Sequence, residues 1–309
     1  MENITVPFYF NLTMFVNIRH YRLVAFTFCV LLYSFIVSAN LLLILVITQH
    51  RALHQPMYMF IALLSLNSLY GSTGFFPRFL MDLLADVHLI SYPACFTQIY
   101  IIYTYAVNEL TILSVMAYDR HVAVCHPLHY YRKITPKTVV VLSTLAWIFP
   151  ALVVSAVISL SAQLPLCGNE IQKVFCANWN VVKLSCVSTN VNNILGMFIT
   201  ITTVFLPFSY VLYTYLRIFV ICWKRSAEFK GKVLQSCLPH LVSFLVYSIT
   251  GFCDIALSRS RLEDLNLFAA VILSLEFVVI PPVLNPLVYG LKLPDIRRHI
   301  FELLQGNKR

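Results

Sequence analysis

Charge is what this chain has least of. Asp, Glu, Lys and Arg make up 11% of its 309 residues, and only 13 of those residues are acids. A soluble domain carries about twice that charged fraction, so a water-facing globule is excluded. Glycine is nearly as scarce, at 8 residues, which disfavours a loop-rich or repetitive fold. No CxxC or HExxH spacing occurs, so neither a metal site nor a cofactor is expected. No nucleophile–base set is visible either, which makes an intramembrane enzyme the least supported reading. Alternating ten-residue segments, the mark of an outer-membrane barrel, are missing.

What is present is apolar. Hydrophobic residues make up 59% of the chain, and the mean hydropathy is +0.79. Charge-free or nearly charge-free runs occupy Val24–Ile47, Met57–Pro77, Tyr92–Ala117, Val139–Leu160, Asn190–Leu216, Val233–Cys253 and Leu267–Leu291. Each reaches the roughly 20 residues that a helix needs to cross a bilayer. The fold class is therefore an all-α membrane protein, a seven-transmembrane helix bundle seated in a lipid bilayer. After it, Pro294–Leu304 sets Ile296, Ile300, Phe301 and Leu304 against Arg297 and Arg298, which predicts a short amphipathic eighth helix. The chain divides into a tail over 1–22, the bundle over 23–291, and the amphipathic helix with its tail over 292–309.

An odd number of crossings puts the termini on opposite sides. With the C-terminus inside, 15 of the 22 Lys and Arg residues face the cytoplasm, which predicts an extracellular N-terminus in the cell membrane. A basic inner face suits anionic lipid and an acidic partner surface, and needs no nucleic acid to explain it. Asn3 and Asn11 begin two N-glycosylation triplets in the tail expected outside. Residues 1–20 lack a basic region followed by an apolar core, so the first span is expected to act as its own insertion signal.

The third span ends abruptly in Asp119-Arg120, and charges this close to a membrane belong at its water boundary. One reading is a snorkelling ion pair that marks the membrane edge. The other is a switch: Arg120 cannot lose its proton, Asp119 holds it, and Pro127-Leu128 sets an apolar knob close by. In the same span Glu109 is an intramembrane acid, expected to meet Asn40, Ser68, Asn285 and Ser114. It is either neutral and hydrogen-bonded, because burial penalises its charge, or part of a cation or proton site. Cys95 and the cysteines at 167, 176 and 186 fall on the oxidising side, and spacing alone leaves three pairings open.

These segments carry a resemblance. MAYDRHVAVCHPLHY resembles the MAYDRYVAICxPLxY signature of vertebrate odorant receptors, a branch of the class A G-protein-coupled receptors, with His121 as the main change. PMY before LLSLNS is similar to PMYFFLxxLSxxD, with Ser68 at the position of the family's sodium-holding Asp. KGKVLQSCLPHL resembles KAFSTCxSHL at Lys232, Ser236, Cys237, His240 and Leu241, with Pro239 as a departure. PPVLNPLVYGLK resembles PMLNPIIYSLRN. GFFPRFL looks closer to the fish-type branch.

The resemblance implies a small odorant as ligand and a stimulatory olfactory G protein as partner, raising cyclic AMP. It implies disulfides Cys95–Cys176 and Cys167–Cys186. It gives switch roles to Asp119, Arg120, Tyr210, His240, Asn285, Pro286 and Tyr289, with Leu128 packing into the G protein. On the residues alone, His240 reads more readily as a packed histidine than as a switch. Asn40 is expected to tie helices together, and Pro286 to free backbone groups that Asn285 satisfies. The implied pocket takes Ile102, Tyr103, Ala106 and Val107 from the third span and Ile194, Leu195 and Phe198 from the fifth. From the sixth it takes Ser248, Gly251, Phe252 and Ile255, with Arg259 either a carboxylate binder or a surface partner of Glu263. A non-olfactory class A receptor and a transporter or channel are the competing functions.

Overall fold

The computed structural model describes residues 8–17, 21–223, 225–259 and 267–304. Among them, seven helices are long and apolar enough to cross a membrane. They are α1 (Arg22–Gln49), α2 (Pro56–Leu84), α3 (Tyr92–Cys125), α4 (Pro136–Ala162), α5 (Asn190–Trp223), α6 (Ala227–Arg259) and α7 (Leu267–Lys292). Each expected span lies inside one of them. The amphipathic α8 (Pro294–Leu304) follows after Leu293. Prolines open α2, α3 and α4 in the first turn, where a missing N–H breaks no bond. Thr135 caps α4 by accepting from the Thr138 N–H at 3.2 Å.

α3 is the axis of the bundle. Over half (56%) of its apolar stretch is buried, against 11% for α5, whose outer face presents Leu206, Leu216 and Phe219 to lipid. α2 comes close enough to α3 that a Cβ on Gly71 would strike the Tyr105 ring. Two apolar cores stack along α3. One surrounds Phe75, Phe76, Tyr105 and Phe175 towards the N-terminal face. The other surrounds Leu64, Leu113, Met116, Phe244 and Tyr289 towards the C-terminal face.

The N-terminal segment is more than a tail. Strand β1 (Tyr9–Leu12) pairs antiparallel with β2 (Leu89–Ser91) and parallel with β3 (Glu170–Ile171). Phe10 and Leu12 point into the core while Asn11 faces the other way, the period of two that a half-buried strand requires. Both expected disulfides are formed, Cys95–Cys176 fixing the loop after α4 to the start of α3 and Cys167–Cys186 closing that loop on itself.

α7 carries Pro281, Pro282 and Pro286 inside the helix. Each lacks the N–H that would serve the carbonyl four residues earlier. The carbonyl left by Pro286 is that of Pro282, and Asn40 Nδ2 on α1 donates to it at 2.9 Å. The carbonyl left by Pro281 is that of Phe277, and the Tyr105 hydroxyl on α3 donates to it at 3.3 Å. So the freed groups recruit neighbouring helices, and Asn285, expected to do this, is engaged elsewhere. Replacing Asn40 by Leu should leave the Pro282 carbonyl without this donor. We expect a cost of about 1–2 kcal/mol, near the upper end for hydrogen bonds in membranes, read as a lower thermal midpoint of the detergent-solubilised protein.

Candidate functional site

A cavity of about 220 Å³ opens between α3, α4, α5 and α6 beneath the loop that follows α4. Ile102, Tyr103, Ala106 and Val107 line it from α3, and Ser248, Gly251, Phe252 and Ile255 from α6. The α5 wall differs from expectation. Ile194 and Phe198 are exposed on the lipid side (64% and 63%), and Leu195 is absent from the lining. Asn192, Gly196, Ile199, Thr200 and Thr203 stand there instead. The cause is a π-helical turn at Ile201–Phe205, just before Pro207. A wide turn adds one residue, which offsets the helix face on its N-terminal side by about 100° from unbroken spacing. Leu195 and Phe198 thereby give way to Gly196 and Ile199. The Arg259 side chain, like Glu263 and Asn3, lies outside the described residues.

The cavity wall is mostly apolar but holds three polar features. Asn178 Oδ1 and Asn192 Nδ2 are buried with no hydrogen-bond partner. Tyr247 reaches across to donate to the Ala106 carbonyl at 2.5 Å, tying α6 to α3, whereas Ser248 bonds within its own helix to Phe244. At the mouth, Asp254 accepts from Lys173 Nζ at 2.8 Å. That ammonium is fully buried, lies 5.2 Å above the Phe175 ring, and anchors the loop to α6. A desolvated pair of this kind holds its geometry tightly, because losing one partner strands the other's charge.

Below the cavity Glu109 is fully buried. Its Oε2 accepts from Asn67 Nδ2 on α2 at 2.8 Å and its Oε1 from Asn285 Nδ2 on α7 at 2.7 Å. Asn67 also donates to the Tyr105 carbonyl at 3.1 Å. The expected partner Ser68 is buried without a bond to Glu109, because one residue turns a helix by about 100° and presents Asn67 in its place. Ser114 turns back to the Leu110 carbonyl. Two amide N–H dipoles thus point at the carboxyl oxygens, where a cation would have to displace them.

At the other end of α3, Arg120 donates through Nη2 (2.7 Å) and Nε (3.1 Å) to Asp119 Oδ2. Asp119 Oδ1 accepts from the Tyr130 hydroxyl at 2.7 Å. Tyr130 begins a one-turn helix, Tyr130–Lys133, so the loop itself braces the pair. Burial first, and then the Asp119 carboxylate, push the Tyr130 phenol well above its ordinary value, which keeps it a donor. Leu128 stands 95% exposed at the loop tip.

His240 is fully buried in α6. Its Nε2 lies 2.8 Å from the Leu113 carbonyl on α3, and its Nδ1 lies 2.6 Å from the Tyr215 hydroxyl on α5. A carbonyl only accepts, so Nε2 carries the proton and Tyr215 donates to Nδ1. Three helices therefore meet in one polar chain. The α5 tyrosine in it is Tyr215 and not Tyr210, which sits half-buried against the lower core. Tyr289 is fully buried nearby. Sequence reasoning missed Tyr215 because Tyr210, Tyr213 and Tyr215 offer three hydroxyls on one helix and only packing selects among them. It also missed Tyr58 of the PMY stretch, whose hydroxyl donates to Asp295 on α8 at 2.9 Å.

The chain resembles known proteins along nearly its whole length. A family model described as olfactory receptor matches residues 28–307. Mouse olfactory receptor 1M1 is 34% identical over 277 residues, covering 89% of this chain and 87% of the relative. Human olfactory receptor 4E1 is 32% identical over 294 residues, covering 93% and 90%. The crystal structure of squid rhodopsin superposes with a TM-score of 0.77 at 14% identity, over 93% of this chain and 86% of that one, a likeness of fold. The chain belongs to the olfactory receptor family, and is a multi-pass odorant receptor of the G-protein-coupled kind.

Proposed function

We propose that the ligand is a small, largely apolar molecule with one oxygen function, such as an alcohol or aldehyde, held in the cavity under the disulfide-stapled loop. The observation that carries this is the pair of unpartnered amide atoms, Asn178 Oδ1 and Asn192 Nδ2, in a mostly apolar wall. Apolar walls supply affinity, and a few polar groups fix orientation. The N-terminus is extracellular and the C-terminus cytoplasmic. Supporting this, most of the Lys and Arg lie on the C-terminal side, and both disulfides lie on the other, where oxidising conditions prevail. Asn11 then points outward as a glycan acceptor.

Signalling follows from what the cavity touches. Tyr247 forms its wall and bonds α6 to α3, while His240, further along α6, bonds to Leu113 and Tyr215. A ligand that binds better when α6 has moved shifts the population toward that arrangement, by no more than its differential affinity. Moving α6 breaks the His240 bridge, and Arg120 leaves Asp119 for the terminal helix of a stimulatory olfactory G protein. Leu128 docks beside it, and cyclic AMP rises. Asn285, Pro286, Tyr289 and Tyr210 act as the hinge and followers of that motion.

A cyclic AMP assay in cells tests the reading. Straight-chain alcohols or aldehydes should activate, and alkanes of matching length should not. Asn192→Leu should raise the half-maximal concentration of either class about tenfold, the worth of one hydrogen bond of about 1.4 kcal/mol, and Asn178→Leu that of alcohols alone, because only a hydroxyl can donate to Asn178 Oδ1. Arg120→Ala should abolish the response at equal surface level. Equal potency of alkanes and alcohols would refute the ligand class, and an intact Arg120→Ala response would refute the coupling route.

A further inference from the structure

At the C-terminal face, His50 ends α1 and His299 lies in the middle of α8, their ring centroids 4.2 Å apart and the rings edge-on at 68°. His50 Nδ1 lies 3.1 Å from the Val46 carbonyl, and His299 Nδ1 lies 2.7 Å from the Asp295 carbonyl. In the neutral rings a carbonyl oxygen, which can only accept, places the proton on Nδ1 and leaves each Nε2 with a lone pair. Two such neutral imidazoles have no hydrogen to share between these nitrogens. Fixing Nδ1–H on a backbone carbonyl is also how proteins orient a metal-binding histidine. Glu302, one turn after His299, adds a carboxylate, and one candidate ligand atom from each of the three lies within 4.8 Å of the others. Glu302 is otherwise paired only loosely, with Arg298 at 3.9 Å on an exposed face.

We propose that His50, His299 and Glu302 bind one divalent transition-metal ion, Zn²⁺ foremost, in a three-ligand site that staples the end of α1 to α8. Two imidazoles and a carboxylate suit Zn²⁺ and its borderline neighbours, whereas Mg²⁺ and Ca²⁺ prefer all-oxygen shells. Bonds of about 2.0–2.1 Å need the three atoms to draw closer, which the exposed Glu302 side chain allows, and the fourth position is left to water. The site is independent of the odorant cavity and requires nothing of the signalling route.

The test uses the full-length receptor in detergent, purified without a polyhistidine tag, with Co²⁺ as the absorbing probe and Zn²⁺ as competitor. The wild type should show a ligand-field band that Zn²⁺ displaces and Mg²⁺ does not, and Zn²⁺ should raise its thermal midpoint. His50→Gln/His299→Gln should lose affinity at least 100-fold, and Glu302→Gln about tenfold. His54→Gln, whose ring already bonds the Thr48 carbonyl, should match wild type. Should the double variant fail to fold, the exposed Glu302→Gln decides alone. Undiminished binding in these variants, or equal loss in His54→Gln, overturns the site.

Discussion

Glu109→Ala is expected to remove folded receptor from the cell surface almost completely. The carboxyl group joins α2, α3 and α7 through its two oxygens, to Asn67 at 2.8 Å and Asn285 at 2.7 Å. Alanine leaves both amides buried without these acceptors, at about 1–3 kcal/mol each, and opens a void besides. Against a total stability of about 5–15 kcal/mol, that sum takes a large share. Glu109→Gln keeps the shape and one acceptor oxygen but turns an NH₂ towards the second donor, so it should recover part of the yield. Surface immunolabelling and the thermal midpoint of the solubilised protein read both effects. A wild-type midpoint in Glu109→Ala would remove the three-helix junction from the account.

The same junction shows where sequence reasoning stops. Span positions and the Asp119-Arg120 boundary were legible because each rests on a local or compositional rule: twenty apolar residues, a charge at a helix end. The pairing of the four outer cysteines came from the family resemblance, since spacing left three pairings open. Which of two adjacent polar residues faces inward was not legible, since Asn67 and Ser68 differ by one step of rotation that only packing against Tyr105 decides. The α5 wall failed for a related reason. Helical spacing carries the phase correctly until the π turn at Ile201–Phe205 resets it. Roles that join distant segments were hidden as well. Asn40 serves the carbonyl freed by Pro286, and β1 joins a sheet with two loops, although neither partner is near in sequence. His50 and His299 come from opposite ends of the chain and match no spacing motif.

The second large effect belongs to the clasp. Tyr130→Phe and Asp119→Asn should each make the receptor signal without odorant. In the closed arrangement Asp119 spends one oxygen on Arg120 and the other on Tyr130, so the carboxylate is fully occupied and the guanidinium is held in place. Tyr130→Phe deletes one charge-assisted bond worth about 1.5–3 kcal/mol, and Asp119→Asn deletes the ion pair while leaving one amide oxygen to accept from Tyr130. If the open form is about 0.1–1% populated at rest, a closed state weakened by about 2 kcal/mol raises it roughly 30-fold. Basal cyclic AMP, or nucleotide exchange on purified G protein, should therefore climb by more than tenfold in Tyr130→Phe and further in Asp119→Asn. Odorant should then add proportionally less. Arg120→Ala combined with either change should return the signal to background if, as proposed above, the partner engages the freed guanidinium. Basal signalling unchanged in both single variants would mean that the closed state is held elsewhere, with the His240–Tyr215–Leu113 chain the next to cut.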